Sequence, residues 1–220
     1  MSDALLDSAA VRSLFGPSYQ GVQTLAELLV QEGVKRGLIG PKESGRLWTR
    51  HLTNCAALER YLPSAGTVLD IGSGAGLPGL VLAMMRPDLH FELVDAMRRR
   101  TQWLTEMVAR LGLGDNTTVT WSRVEALPGQ GQFDAVVSRA VGDLATLVPW
   151  STPLLCPGGV FLALKGQAAG EELRRFLARS TGQDLVDLEV LAVQVLPELE
   201  TTYVVRGTKP GLNVSGVAHN

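Results

Sequence analysis

A chain of 220 residues can bury one large core with an appendage but is short for two full domains. With 45% hydrophobic and 19% charged residues and no low-complexity tract, it reads as an ordinary globular protein, neither disordered nor fibrous. A net charge of -2 selects no nucleic-acid partner by itself, so the placement of individual Lys and Arg side chains matters more than their total. No apolar run reaches the roughly 18 residues of a membrane span. The start of the chain, with Asp3 and Asp7 close behind Met1, lacks the basic-then-apolar layout of a signal peptide, so a cytoplasmic protein is expected. Two cysteines, Cys55 and Cys156, and three scattered histidines form neither a disulfide framework nor a metal-ligand pattern, and no metal is expected.

Residues 1–62 are read as a helical N-terminal extension packed on the core. Leu5, Leu6, Ala9, Ala10 and Leu14, then Val22, Leu25, Leu28 and Leu29, recur at three- and four-residue spacings. Gly16-Pro17, Gly33 and Gly40-Pro41 should end helices or turn the chain. A helix through Leu52, Ala56, Leu58 and Leu62 is expected to end at Pro63.

Residues 63–208 alternate strand-like with helix-like runs. Strands are predicted over 67–71, 90–94, 117–121, 133–138 and 159–164, with helices from about Pro78, Arg98, Leu144 and Gly170. That alternation implies right-handed crossovers and a doubly wound α/β fold with a parallel sheet covered on both faces. The segments 185–195 and 201–206 are β-rich and joined by a short Pro-containing connection, which predicts a closing antiparallel hairpin. Residues 209–220 are read as a flexible tail.

The stretch Val68 to Gly79, Val-Leu-Asp-Ile-Gly-Ser-Gly-Ala-Gly-Leu-Pro-Gly, reads as strand, tight loop and helix. Its glycines allow close backbone approach to a ligand, and the following helix start offers free amides. Asp95 ends the next strand, where a carboxylate can accept hydrogen bonds from ribose hydroxyls, so an adenosine-containing cofactor is expected. A nicotinamide dinucleotide and S-adenosylmethionine compete for this signature. A nicotinamide site usually sets Gly-x-Gly-x-x-Gly against a pyrophosphate, whereas this loop opens as Gly72-x-Gly74-x-Gly76, and Asp70 just before it would repel a pyrophosphate while tolerating ammonium and sulfonium groups, which favours the methyl donor. Five parallel strands closed by a hairpin also suit a seven-stranded, Rossmann-like class I methyltransferase sheet.

Several further runs carry a family resemblance: Arg86-Pro87, Glu92-Leu93-Val94-Asp95 with Arg99-Arg100, Ser122-Arg123-Val124-Glu125, Phe133-Asp134, Ser138-Arg139-Ala140 and Ala163-Leu164-Lys165-Gly166. With the Gly-Leu-Pro-Gly loop ending, the chain from about Arg50 to Arg206 resembles the bacterial small-subunit (16S) ribosomal RNA guanine-N7 methyltransferases, the glucose-inhibited division protein B family. The N-terminal third departs from that pattern, with Gly37-Leu38-Ile39 in place of Asn-Leu-Thr and Asn54 in place of an acid. The resemblance implies S-adenosylmethionine as cofactor, ribosomal RNA or the small subunit as partner, and Gly72, Leu77, Val124, Glu125 and Arg139 around the cofactor. Asp70, Gly74 and Asp95 join the same pocket by their places at strand ends and in the loop. Glu125 has an alternative reading as a solvated acid at a helix start.

Guanine N7 carries a free lone pair, so its methylation needs no base, and no catalytic side chain is assigned. An exocyclic-amine methyltransferase should show Asn or Asp, then Pro-Pro and an aromatic residue, after the fourth strand; Ser138-Arg139-Ala140-Val141 stands there instead. Cys156-Pro157 lies in the turn before the fifth strand and is read as a small buried residue rather than a nucleophile. Arg100, Arg123, Arg139 and Lys165 lie at or just past strand ends, where they suit phosphates flanking a target nucleotide, and members of the resembled family are basic there too. His51 is read either as leaning over the pocket or as a structural histidine. The four tryptophans are too scattered for a stacking platform, and Trp103 is read as core. A monomer is expected. Rival readings are a small-molecule methyltransferase and a non-catalytic RNA-binding assembly factor.

Overall fold

Runs in which apolar and β-branched residues recur make the strands of one sheet: β1 Thr67–Ile71, β2 His90–Asp95, β3 Thr117–Trp121, β4 Phe133–Arg139, β5 Leu155–Lys165, β6 Val186–Val193 and β7 Thr202–Thr208. The computed structural model describes residues 8–179 and 185–211. Leu5 and Leu6 of the predicted first helix, and residues 212–220 of the predicted tail, lie outside the described residues. The strand order is β3-β2-β1-β4-β5-β7-β6. The first five strands are parallel, and β7 runs antiparallel to both β5 and β6. This is the predicted mixed sheet with its closing hairpin. The hairpin folds back so that its second strand, β7, sits against β5 and leaves β6 outermost.

Successive side chains of a strand point to opposite faces, and the two cores follow that period. Val68, Ala135, Val137, Leu162 and Leu164 face one core, whereas Leu69, Ile71, Val136, Phe161 and Ala163 face the other. The second core is covered by α6 (Leu144–Ser151) and α7 (Ala169–Arg179). Asp143 caps α6, its side chain accepting from Thr146 N at 3.1 Å. The first core is covered by α4 (Gly79–Met85) and α5 (Arg98–Arg110). In α5, Trp103, Leu104 and Met107 are buried, while the three arginines at its start lie on the outer or rim side.

The N-terminal helices pack into the same first core. Within α1 (Ala9–Phe15) and α2 (Tyr19–Leu28), Val11, Val22 and Leu25 have no exposed surface, and Leu29 just beyond α2 is equally buried. Ser18 Oγ donates to Met84 O at 2.7 Å, tying the start of α2 to the end of α4. The single helix predicted through Leu52 and Leu62 is instead three short pieces: a wide π-helical turn Leu47–Leu52, α3 (Thr53–Ala56) and a 3-10 turn Glu59–Tyr61. Thr53 Oγ1 donates to Trp48 O, five residues back, at 2.7 Å, while Leu58 N closes a tight turn on Cys55 O at 3.1 Å. The apolar spacing survives this change, because Leu52, Ala56, Leu58 and Leu62 are all buried.

Asp70 fastens α4 to β1. Its carboxylate is fully buried, and Oδ2 accepts from Gly79 N at 3.0 Å. A β-carbon on Gly79 would stand 2.5 Å from that oxygen and 2.3 Å from Leu93 Cδ2, so no larger residue fits. Oδ1 has no partner, and burial pushes the carboxyl up to about 7, opposed by the Gly79 amide.

Two predictions follow from this packing. Leu25→Ala should cost about 2–5 kcal/mol and lower one cooperative unfolding transition; a separate N-terminal transition that leaves the main one unmoved would contradict a shared core. Because the folded state holds the Asp70 proton to higher pH than an unfolded chain does, Asp70 favours folding at acid pH. That contribution fades as pH rises from the ordinary carboxylate range towards about 7. Asp70→Asn cannot titrate, so its stability should gain on that of the unaltered protein between about pH 4 and about pH 7 and hold a constant offset above that. Parallel urea-midpoint profiles for the two proteins would show that Asp70 is not buried as described.

Candidate active site

A cavity of about 560 Å³ opens at the C-terminal ends of β1, β2 and β4. It spans the point where the sheet order reverses between β1 and β4, which is where open α/β sheets bind ligands. Its floor is the glycine loop after β1. Gly72 N and Ser73 N donate to Val94 O at 2.8 and 3.1 Å, and Gly74 N donates to Asp95 Oδ2 at 3.0 Å. Gly72, Gly74 and Gly76 have φ of +69°, +56° and +94°, a region that disfavours side chains. A β-carbon on Gly72 would lie 2.4 Å from Val141 Cγ2, so the turn after β4 leans directly on the loop. Ala140 in that turn has φ +57°. Trp103, fully buried as predicted, donates Nε1–H to Ala75 O at 3.1 Å and so steadies the loop from behind.

Asp95 is 3% exposed, and its carboxylate accepts from Met97 N at 2.8 Å as well as from Gly74 N, with Arg100 Nη1 at 3.4 Å. A carboxylate offers about four lone-pair sites, so Asp95 retains capacity for a ligand on the cavity side. Leu77, Val94 and Val124 supply apolar wall, and Val124 and Glu125 belong to a short 3-10 turn after β3. Acid for hydroxyls, backbone amides and apolar walls together form a donor set that fits an adenosine-containing cofactor.

The structure gathers Gly72, Gly74, Leu77, Asp95, Arg100, Arg123, Val124, Glu125 and Arg139 around this cavity. Two predicted members stand elsewhere. Asp70 is buried behind the loop, its charge turned to the α4 amide rather than to the cavity. Lys165 pairs with Glu172 at 2.8 Å and donates to Gly142 O at 3.0 Å, and its side chain is only 10% exposed. It clamps the turn after β4 to α7 and offers no open charge at the rim. Cys156 is half-buried in β5 itself, with Sγ 3.5 Å from Asp134 Oδ1, and does not line the cavity.

Of the N-terminal segment, sequence reasoning offered only His51 as a residue that leans over the pocket; His51 does line it, and Leu38, Ile39 and Glu43, which had no such reading, close the same side. His51 uses both ring nitrogens, Nε2 with the Glu43 carboxylate and Nδ1 with Arg139 Nη2. Arg139 Nη1 also donates to His51 O at 3.2 Å and approaches Cys55 Sγ at 3.8 Å. Burial, and then the neighbouring Arg139 cation, hold the His51 imidazole below its ordinary pKa, and burial pushes the Cys55 thiol up to about 11. Outside the cavity, Trp121 is 61% exposed, with Nε1 donating to Ala96 O at 3.0 Å and the Arg98 guanidinium 5.5 Å from its ring. Among the described residues no group of His, Cys, Asp and Glu could hold a metal ion, and no helix is long and apolar enough to cross a membrane.

Comparison with known proteins bears on the family and the fold. Residues 18–198 match the family model described as rRNA small subunit methyltransferase G (GidB). A protein named ribosomal RNA small subunit methyltransferase G from Beutenbergia cavernae is 44% identical over 201 residues, covering 91% of this chain and 94% of that protein. Its namesake from Streptomyces coelicolor is 51% identical over 164 residues, covering 74% and 68%. In fold the chain is similar to the tRNA (m1A58) methyltransferase of Aquifex aeolicus, with a TM-score of 0.55, 18% identity and coverage of 71% and 67%. A similar likeness joins it to a putative S-adenosyl-L-methionine-dependent methyltransferase of Methanococcus maripaludis, with a TM-score of 0.55, 18% identity and coverage of 89% and 94%. By the matched length and the identity to its relatives, this chain belongs to the rRNA small subunit methyltransferase G family.

Proposed function

We propose that this protein methylates N7 of one guanine in small-subunit ribosomal RNA, with its cofactor seated in the cavity at the β1–β4 switch point. As a member of its family it is an S-adenosylmethionine-dependent rRNA methyltransferase. The observation that carries the siting is Asp95, a buried carboxylate at the end of β2 that holds the glycine loop and still faces the cavity.

The cofactor supplies a methyl group on a cationic sulfur. The protein's own work is binding, orientation and exclusion of water. Asp95 has lone pairs for ribose hydroxyls, and Val124 and Leu77 offer apolar surface to an adenine. Guanine N7 needs no deprotonation, so alignment of the acceptor nitrogen in a water-poor pocket provides the rate enhancement. Arg139 suits an anionic group of the cofactor or of the RNA and Arg123 suits the RNA phosphates, while Arg100 lies beside them with Nη1 3.4 Å from the Asp95 carboxylate. Lys165 is left out of that set, since Glu172 neutralises it. A ribosomal substrate supports a cytoplasmic location.

Mass mapping of small-subunit RNA from cells with and without this protein tests the reading. One guanine should lose one methyl group in the deletion and regain it on complementation; an RNA unchanged by the deletion would sink it. Asp95→Ala should weaken S-adenosylhomocysteine binding about 10-fold or more, since hydrogen bonds to a charged group contribute about 1.5–3 kcal/mol each. Calorimetry showing unaltered affinity would remove Asp95 from the site. Arg123→Ala and Arg139→Ala should each lower methyl transfer to small subunits, and unchanged rates in both would remove the proposed cationic rim.

A further inference from the structure

We propose that Glu43 and His51 form a positioning device for Arg139, in which a neutral His51 accepts a hydrogen bond from the Arg139 guanidinium and so presents that cation to the cavity. This rests on the reading of the cavity as the cofactor site. The donor count carries it. A guanidinium has five N–H donors and no acceptor, so the ring nitrogen facing Arg139 must offer a lone pair. That nitrogen is Nδ1. The other, Nε2, meets the Glu43 carboxylate, which only accepts, so the proton must sit on Nε2. Both partners therefore select the same neutral tautomer.

The arrangement has an electrostatic consequence. A carboxylate paired directly with Arg139 would cancel much of its charge before any ligand arrived. Here an uncharged ring separates Glu43 from Arg139, so the guanidinium is oriented but keeps its charge for the cavity. Two of its N–H groups reach His51 O and Cys55 Sγ and one reaches Nδ1, leaving Nε–H and one Nη2–H for a ligand. Anchors from α3 and the turn before it thus set a side chain of β4, although Arg139 and His51 are 88 residues apart.

The same wiring responds to pH. A proton on Nδ1 would remove the acceptor and place a second cation against Arg139. The charged and titratable groups facing His51 are Glu43 and Arg50 from its own segment, Arg139 from β4 and Cys55 from α3. Glu43 draws the His51 pKa up, while burial, Arg139 and Arg50 hold it below the ordinary imidazole value. Ligand affinity is accordingly full at neutral pH and falls on the acid side, below the usual histidine range.

Two measurements test the device. Nitrogen-15 NMR of the labelled, cofactor-free protein at neutral pH should show His51 with Nδ1 unprotonated and Nε2 protonated; a cationic ring or the opposite tautomer would overturn the proposal. Calorimetry with S-adenosylhomocysteine should show about a 10-fold or greater loss for His51→Leu. His51→Asn keeps an acceptor near the Nδ1 position, so it should restore much of the affinity and abolish the acid fall. Glu43→Gln should move that fall to lower pH, because it removes the charge that raises the His51 pKa. Binding by the unaltered protein that His51→Leu leaves untouched, or an acid limb that neither substitution moves, would overturn the device and leave the cofactor reading standing. Failure of the unaltered protein to bind the probe would overturn both.

Discussion

The structure turns on the attachment of the glycine loop to the end of β2. Two loop amides bond to Val94 O and a third to the Asp95 carboxylate, so the loop is held by the neighbouring strand. Asp95 also receives Met97 N, at the entry to α5. One side chain therefore ties the β1 loop to the α5 start, two walls of the cavity. Asp70 acts one layer deeper, joining β1 to the first amide of α4 at the cost of a buried carboxyl with one unpaired oxygen.

Around that frame, charge is distributed by neighbours rather than by number. Lys165 and Arg139 both occupy strand ends. Lys165 meets a carboxylate directly and becomes a clamp holding the turn that leans on Gly72. Arg139 meets a neutral imidazole instead and keeps its charge beside the cavity. The N-terminal segment, whose helices share a core with α4 and α5, contributes the Glu43 and His51 side chains to the wall. A segment without a catalytic signature thus completes the site.

The positions legible in advance were those with short-range causes. Gly74 and Asp95 lie at or just past strand ends, which follow from apolar period and turn residues, while Gly72, Leu77, Val124 and Glu125 were placed by the family resemblance. Their convergence on one edge follows in turn from parallel crossovers. The wide turn at Leu47–Leu52 was not legible, because it depends on a threonine hydroxyl reaching five residues back, which apolar spacing does not report. Nor did Leu38, Ile39 and Glu43 carry any local sign of facing a cavity formed by residues much farther along the chain.

Sequence alone determined the strand and helix order from β1 onward, the doubly wound class, the glycine loop with its following acid, and the family. Each of these is written in residue types at short or regular spacing. Only the tertiary structure decided which charges remain available. Asp70 or Lys165 could each have faced a ligand by sequence position, and His51 had two open readings, one over the pocket and one structural. Burial against Gly79, pairing with Glu172, and the two-sided contact of His51 with Glu43 and Arg139 settled these cases. The physical reason is that a side chain's charge and orientation depend on partners brought close by folding, and those partners are set by packing between distant segments.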